Sequence, residues 1–557
     1  MDEPRLSAHC AGMKRSRRDR DLDQAEHPPE LMLSPRLEAA AAAALLLLGL
    51  AHMLTLWFVS DDAFISYRYA RNLAGGIGLV YNPGERVEGY SNFLWTLIAS
   101  LVIRAGGRPE LWMPGLGVAC SLGTLGLVMA AIRRRGASPL LAGAILAANP
   151  AFAAYATSGL ETALFTLLVT SATLATAAAL APGDSFRTRP LLGSAFLLGL
   201  ASLTRPEGAL VTACVGALLL TLALLRCGSV RSWMAWAGAW LVVAGPHLAW
   251  RLAYYHRLLP NSFAIKAPGL LQAPEGGRYV MLALGELHLL WLVPAIVASL
   301  LFGAWRGLAG RELGLMGAIV LPFLAYVCAT GGDWMPLFRF VVPMLPLIAL
   351  VAAAALEGWM GFGGSRAARR LGWAFAMVSL MAYVSLDLRA SWRQQVPNGA
   401  PNSVWIARRD LENWRRLGEM LERVTQPTDT LATTAAGVIP YVSGLYTIDL
   451  LGLCAPDHSR YRRRATDRPG HQWVLAEAEL YRLRPQILLG HPVVRDTLHY
   501  LGMSLDIDPA WRDRIVSSYS LVGLTLPGTP VRYAGCMLRN DVAERVLEAG
   551  RRLAPPP

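Results

Sequence analysis

Apolar residues fall in long blocks along this chain, and eleven of the blocks approach the length of a bilayer crossing. They cover about 38–60, 111–132, 137–155, 160–182, 190–204, 209–226, 232–253, 283–304, 312–330, 338–356 and 371–389. A spanning helix needs about 20 mostly apolar residues. The pattern therefore predicts an α-helical polytopic membrane protein with about eleven transmembrane helices. The first block lacks a clean small-residue cleavage site and runs straight into SDDAFISYRYARN, unlike a cleaved signal peptide. A twelfth run, YSNFLWTLIASLVIRA at 90–105, is apolar but short.

Orientation decides how that run is read. If it does not span, Arg133, Arg134, Arg135, Arg187, Arg189, Arg226, Arg231, Arg306, Arg311, Arg366, Arg369 and Arg370 share one side with the tail residues Lys14, Arg15, Arg17, Arg18 and Arg20. Positive loops mark the cytoplasmic side, so 90–105 is expected to lie in the interface with the amino terminus inside. Three regions follow: a basic, disordered cytoplasmic tail (1–37), a transmembrane domain (38–390, with a first outer loop over 61–110), and an extracytoplasmic α/β domain (391–557). The last mixes helix-like stretches such as NSVWIARRDLENWRRLGEMLERV with strand-like runs such as PQILLG and SYSLVGLTL. No internal repeat is visible.

Composition agrees. Of 557 residues, 54% are hydrophobic and only 16% charged, with a mean hydropathy of +0.37. Soluble domains carry about 25% charged residues. The formal charge of +13 sits largely in the tail and short loops, so it argues for membrane topology and against a nucleic-acid partner. The seven cysteines form no CxxC or metal-finger spacing. Cys454 and Cys536 are the two placed in the outer domain, where a disulfide could persist.

On this topology the unusual polar residues gather on the outer face. Asp61 and Asp62 open the first loop, followed by Tyr67, Arg68 and Arg71 at helical spacing. A carboxylate there could act as general base, or the pair could be a helix cap with a solvated neighbour. TSGLETALF carries Glu161, LTRPEG carries Arg205 and Glu207, and GGDWMPLFRF carries Asp333 and Arg339. Arg205 with Glu207 could be only a structural ion pair, and Asp333 a turn cap. His247 lies in an apolar run without HxxxH or HExxH spacing, and reads as a core histidine. Lys266, following LLPNSF, is the one lysine outside the tail in a chain with 50 arginines. Arginine and lysine both suit a phosphate at headgroup level.

Taken together, SDDAFISYRYARNLAGGIGLVYNPGERVEGYSNFLW, SGLETALF, LTRPEG, YYHRLLPNSFAIK, GGDWMPLFRFVVPMLP and AAGVIPYVSGLYTIDLLGL resemble the GT-C membrane glycosyltransferases, in the branch of the mycobacterial terminal arabinofuranosyltransferases. The resemblance covers about 38–455 in the same order. It implies a transferase that moves a sugar, possible pentofuranoses included, from a polyprenyl-phosphate donor to an envelope glycan or glycolipid outside the bacterial cytoplasmic membrane. It puts the catalytic base at Asp61 or Asp62, with a slight preference for Asp61. Lys266, then Arg205 and Arg339, become the donor-phosphate candidates. Substrate contacts are expected from Tyr67, Arg68, Glu88, Glu161, Glu207, Asn261, Asp333, Tyr441 and Asp449. No cofactor is demanded; Asp61, Asp62 and Asp333 could ligate Mg²⁺ or Mn²⁺ through oxygen.

Two other classes fit parts of the pattern. A transporter or flippase for a lipid-linked sugar would place polar sites near the midplane on broken helices, and a glycan-binding scaffold would not need the acidic pair. The loop 437–446 is expected over the membrane cavity, with Tyr441 and Tyr446 as stacking surfaces, although a buried turn between strands explains the same residues.

Overall fold

The computed structural model describes residues 34–180, 186–225, 227–261, 272–361, 365–463, 473–497, 509–526 and 532–553. The membrane part runs through α1 (Pro35–Thr55), α2 (Asp61–Ala74), α3 (Phe93–Arg104), α4 (Pro109–Arg133), α5 (Pro139–Ala148), α6 (Pro150–Thr157), α7 (Thr162–Ala179), α8 (Thr188–Thr204), α9 (Glu207–Leu224) and α10 (Val230–Tyr255). It continues with α11 (Ala273–Glu286), α12 (Val293–Phe302), α13 (Gly310–Thr330), α14 (Leu345–Met360) and α15 (Arg366–Gln395).

Seven segments are long and apolar enough to cross a bilayer, and two further pairs, α5–α6 and α11–α12 with its 3-10 turn, are each bent by 67°. Length and composition thus support seven to nine crossings among the described residues, where the sequence pattern predicts eleven. The difference lies in α8, which has only 17 residues, and α10, whose apolar run is diluted by Arg231, His247 and Arg251. Helix α3 has 12 residues, about 18 Å at 1.5 Å per residue, too short for a hydrocarbon core of about 30 Å.

Both breaks have a chemical cause. At the first, Asn149 ends α5 and its Oδ1 accepts the Ala151 and Phe152 amides, starting α6 with Pro150 behind it. At the second, His288 takes a left-handed φ of 52°. The two break residues converge on Asp387 of α15, which is fully buried. His288 Nδ1 lies 2.8 Å from Asp387 Oδ1, and Asn149 Nδ2 donates to Asp387 Oδ2 (3.4 Å) and to the Tyr383 hydroxyl (3.1 Å).

The carboxy-terminal domain, the expected outer domain, contains α16 (Val404–Val424), β1 (Thr430–Thr433), α17 (Val438–Ser443), β2 (Tyr446–Asp449), β3 (Tyr461–Arg463), β4 (Trp473–Leu475), α18 (Glu477–Leu483), β5 (Ile487–Gly490), β6 (Val494–Arg495), α19 (Pro509–Ser518), β7 (Tyr519–Leu526), β8 (Arg532–Arg539) and α20 (Asn540–Leu553). The sheet order is β2-β1-β5-β8-β6, with β7 also on β8. β1 is parallel to β2 and β5, and β8 is antiparallel to its neighbours. A short β1–α17–β2 unit therefore presents α17 to the membrane domain. Cys454 and Cys536 are both buried and free, so no disulfide joins them.

Candidate active site at one end of the membrane domain

The chain between α1 and α2 is pinned where α6 ends: Phe58 N donates to Thr157 Oγ1 (3.2 Å) and Ser60 N to Ser158 O (2.9 Å). Gly159 follows with φ of 73°, and its carbonyl accepts both the Tyr67 hydroxyl (3.1 Å) and Trp95 Nε1 (2.9 Å). A Cβ at this glycine would lie 2.6 Å from the Tyr67 hydroxyl oxygen, so only glycine lets α2 and α3 close on this turn. These contacts aim the first turn of α2 at a cavity of about 130 Å³.

Asp62, Glu161, Glu207, Asp333, Arg205 and Arg339 all line that cavity. Arg205 is shared by two carboxylates: Nη1 donates to Glu161 Oε1 (2.9 Å), while Nε and Nη2 grip Glu207 (3.1 and 2.8 Å). Asn92 Nδ2 holds the other Glu161 oxygen at 2.8 Å, and Asn92 Oδ1 accepts from Ser66 on α2 (3.0 Å) and Thr96 on α3 (3.1 Å). Across the cavity Arg339 Nε donates to Asp333 Oδ2 (3.0 Å), and the Tyr279 hydroxyl donates to Asp333 Oδ1 (2.9 Å). The Phe340 ring lies between the two guanidiniums, 5.3 Å from Arg205 and 5.2 Å from Arg339. Four carboxylates thus face two guanidiniums among the described lining residues. The Arg339 amino groups bond to no described residue, whereas all three Arg205 nitrogens are engaged.

The two neighbouring aspartates separate. Asp62 lines the cavity and Asp61 does not. Asp61 Oδ1 instead accepts the Val438 amide at 2.7 Å, and a Cβ at Gly437 would lie 2.1 Å from the Asp61 carbonyl oxygen. Burial against the outer domain pushes the Asp61 carboxyl up to about 7, against the lowering effect of the Val438 amide.

Several expected substrate contacts are occupied with structural bonds. Arg68 donates to the carbonyls of Tyr81 (2.8 Å), Pro440 (2.6 Å) and Leu445 (2.8 Å) and to Asn82 (3.0 Å), fastening the outer domain to α2. Tyr67 is fully buried on Gly159. Glu88 pairs with Arg251 at 2.8 Å, and burial raises its carboxyl to about 7 despite that arginine. Asn261 Nδ2 donates to the carbonyls of Gly452, Leu453 and Ala455. Both Asp449 oxygens accept backbone amides, from Leu451 and Cys454 at 2.9 Å. Tyr441 packs edge-on against Phe64 and Tyr67, beneath Arg71. The 437–446 segment, expected over the membrane cavity, docks on the first turn of α2 through Val438; none of its residues lines the cavity, whose wall takes Leu453 from this domain. Tyr67, Arg68, Glu88, Asn261, Tyr441 and Asp449 are not part of that wall. Lys266 falls in 262–271, outside the described residues.

Asn92, Ser66, Tyr326 and Phe340 line the cavity without having been singled out from sequence. Neutral side chains inside apolar runs give no signal of where they point; Asn92 alone, within YSNF, sits in a polar break that could have flagged it. No group of three metal-ligating side chains occurs among the described residues, and the pairing of Asp333 with Arg339 sets it against a cation.

Residues 404–536 match a family model described as a domain of unknown function, DUF8728. The chain is 32% identical over 239 residues to the terminal beta-(1->2)-arabinofuranosyltransferase of Mycobacterium tuberculosis, covering 40% of this chain and 37% of that protein. With the enzyme of the same name from Corynebacterium glutamicum it shares 29% identity over 337 residues, covering 52% and 47%. The chain thus matches less than half the length of these relatives. The crystal structure of ArnT from Cupriavidus metallidurans bound to undecaprenyl phosphate superposes with a TM-score of 0.55 at 12% identity, over 90% of this chain and 98% of that one. The apo form gives 0.52. This chain is a multi-pass membrane protein that shares the fold of ArnT and is a sequence relative of the terminal arabinofuranosyltransferases.

Proposed function

We propose that this protein transfers a sugar, of the pentofuranose class, from a polyprenyl-phosphate donor to a glycan or glycolipid acceptor of the cell envelope. The reaction takes place on the outer face of the cytoplasmic membrane, with the amino terminus inside. The observation that carries this reading is the cavity at the α1–α2 end of the membrane domain, where Asp62 faces Arg339 and the Arg205 cluster. Relatives named arabinofuranosyltransferases and the undecaprenyl-phosphate complex of ArnT support the donor class.

In this reading the acceptor hydroxyl attacks the anomeric carbon and loses its proton to Asp62, while the bond from that carbon to the phosphate oxygen breaks. Polyprenyl phosphate leaves with the electron pair, and one displacement inverts the anomeric centre. Arg339 has amino groups available for the phosphate oxygens and is the first choice for stabilising the charge that builds there. Arg205 works at one remove, holding Glu161 and Glu207. Lys266 remains a further cationic candidate. The described residues flanking its segment lie by the cavity: Asn261 bonds to the Leu453 carbonyl at 3.0 Å, and Gln272 sits against Gly331, next to the lining residue Gly332.

The test is transfer by the full chain in vesicles supplied with labelled polyprenyl-phosphate arabinofuranose and envelope acceptor. Asp62→Asn should lower kcat by ~10²-fold or more, the scale of a lost general base, while leaving donor binding intact. Asp61→Asn should cost much less. Equal losses, or full activity in Asp62→Asn, would refute the assignment.

A further inference from the structure

A second cavity, of about 360 Å³, lies at the other end of α1, between α1 and α4. Ala42 and Leu46 of α1 and Gly126 of α4 form its wall, and Glu38, Arg133 and Arg134 stand at its mouth. The two helices touch near Gly49, where a Cβ would lie 3.0 Å from Leu125 Cδ2. On the residue after Leu125, a Cβ on Gly126 would meet nothing within 4 Å. Gly126 thus opens onto an apolar slot that continues to the basic end. From Glu38 to Leu46 the slot runs about 12 Å along α1. Leu47 and Leu48 beside it are 67% and 64% exposed, so this side of α1 faces lipid.

The mouth keeps a positive excess. Arg133 reaches Glu38 at 3.2 Å and stays half exposed. Arg135 is committed to Glu312 at 2.7 Å. Arg134 is exposed, and its side chain makes no hydrogen bond or ion pair among the described residues. An apolar slot open to lipid and topped by two arginines matches one ligand chemistry: an acyl chain with an anionic phosphate at its head. We propose that this cavity holds one anionic membrane phospholipid, with its phosphate on Arg133 and Arg134 and the upper part of one acyl chain between α1 and α4. Occupancy would brace α1, the helix that delivers Asp61 and Asp62 to the other face. The assignment is independent of the transfer reaction.

The experiment uses the full chain in neutral micelles, titrated with phosphatidylglycerol or with phosphatidylcholine of the same acyl chains, reading Tm and the lipid retained in native mass spectra. Phosphatidylglycerol should raise Tm and remain bound one per chain, with phosphatidylcholine at least tenfold weaker. A double Arg133→Gln, Arg134→Gln variant should lose about 25-fold in apparent affinity, at about fivefold per arginine. Gly126→Leu should fill the slot and abolish retention without touching a charge. Its basal Tm should not fall, since the added side chain enters open space on a helix. Equal responses to the two lipids would overturn the proposal, as would unchanged binding in both variants. Loss of the response on removing residues 1–33 would place the lipid on that segment and overturn it as well. Glycerol phosphate alone should give no shift; a shift as large as that from the lipid would make the site a phosphate site and refute the acyl slot.

Discussion

Two clusters of buried ionisable groups in the membrane domain, around Arg205 and around Asp387, are wired differently. At Asp387 each partner is a helix break: His288 before α12 and Asn149 before α6. The cluster is closed, and its bonds are spent on joining two bent helices to α15. At the cavity four carboxylates share two guanidiniums; Asp62 lines it, and the Arg339 amino groups bond to no described residue. Burying charge in a membrane protein is costly, so it persists where it holds the fold or does chemistry. Closure marks the first case, and surplus charge facing a cavity marks the second. The same contrast weighs against a transporter, in which broken helices offer their freed ends to a substrate. Here the ends at Asn149 are capped by its own side chain.

Arg205→Met should have the largest effect, because it leaves Glu161 and Glu207 buried without their counter-ion. A loss of about 3–5 kcal/mol is expected, read as a fall in Tm together with lost transfer. A variant with unchanged Tm would mean the cluster is solvated and the contrast with Asp387 is false. Asp387→Asn keeps the shape and removes the charge facing His288, so about 2 kcal/mol should be lost. Transfer per folded molecule should stay within about threefold of the native value. A hundredfold drop would turn the closed cluster into a functional one.

Tyr441→Ala tests the border between the two domains. Its ring meets Phe64 and Tyr67 edge-on and lies outside the cavity wall, so about 1 kcal/mol of docking should go while the acceptor KM holds. A raised KM at unchanged Tm would return Tyr441 to the acceptor side.

The smallest effect is a pH slope. Asp61 is held up to about 7 in the folded protein against about 3.9 for a free aspartate, so the folded state binds its proton more tightly. That contribution to stability is fully present below about pH 4 and is lost as pH rises through about 7. Glu88 acts in the same direction. Tm should therefore fall between about pH 4 and 7, and Asp61→Asn should flatten part of the slope. An unchanged slope in that variant would show that Asp61 is not buried by the outer domain.

Much of this was legible in the sequence because it depends on local composition. Long apolar runs, the brevity of 90–105 and the α/β character after residue 391 follow from hydrophobic length and period, which physics sets residue by residue. The clustering of Glu161, Arg205, Glu207, Asp333 and Arg339 was readable from their place at the ends of such runs. An aspartate at 387, inside an otherwise apolar run, carried the signal of a buried partner but could not name it: Asn149 and His288 lie far away in the chain, and only packing selects them. Adjacency hid the choice between Asp61 and Asp62, since neighbours on a helix point about 100° apart and only the placement of α17 decides which is covered. Asp449 and Arg68 looked like ligand-binding side chains because sequence lists their polar atoms without saying that backbone groups already use them, and the Tyr441 ring because sequence does not say that it packs on Phe64 and Tyr67. Sequence determined where polar groups are too many for their surroundings; tertiary structure decided which of them are satisfied, because a hydrogen-bond partner is a matter of distance in space and not along the chain.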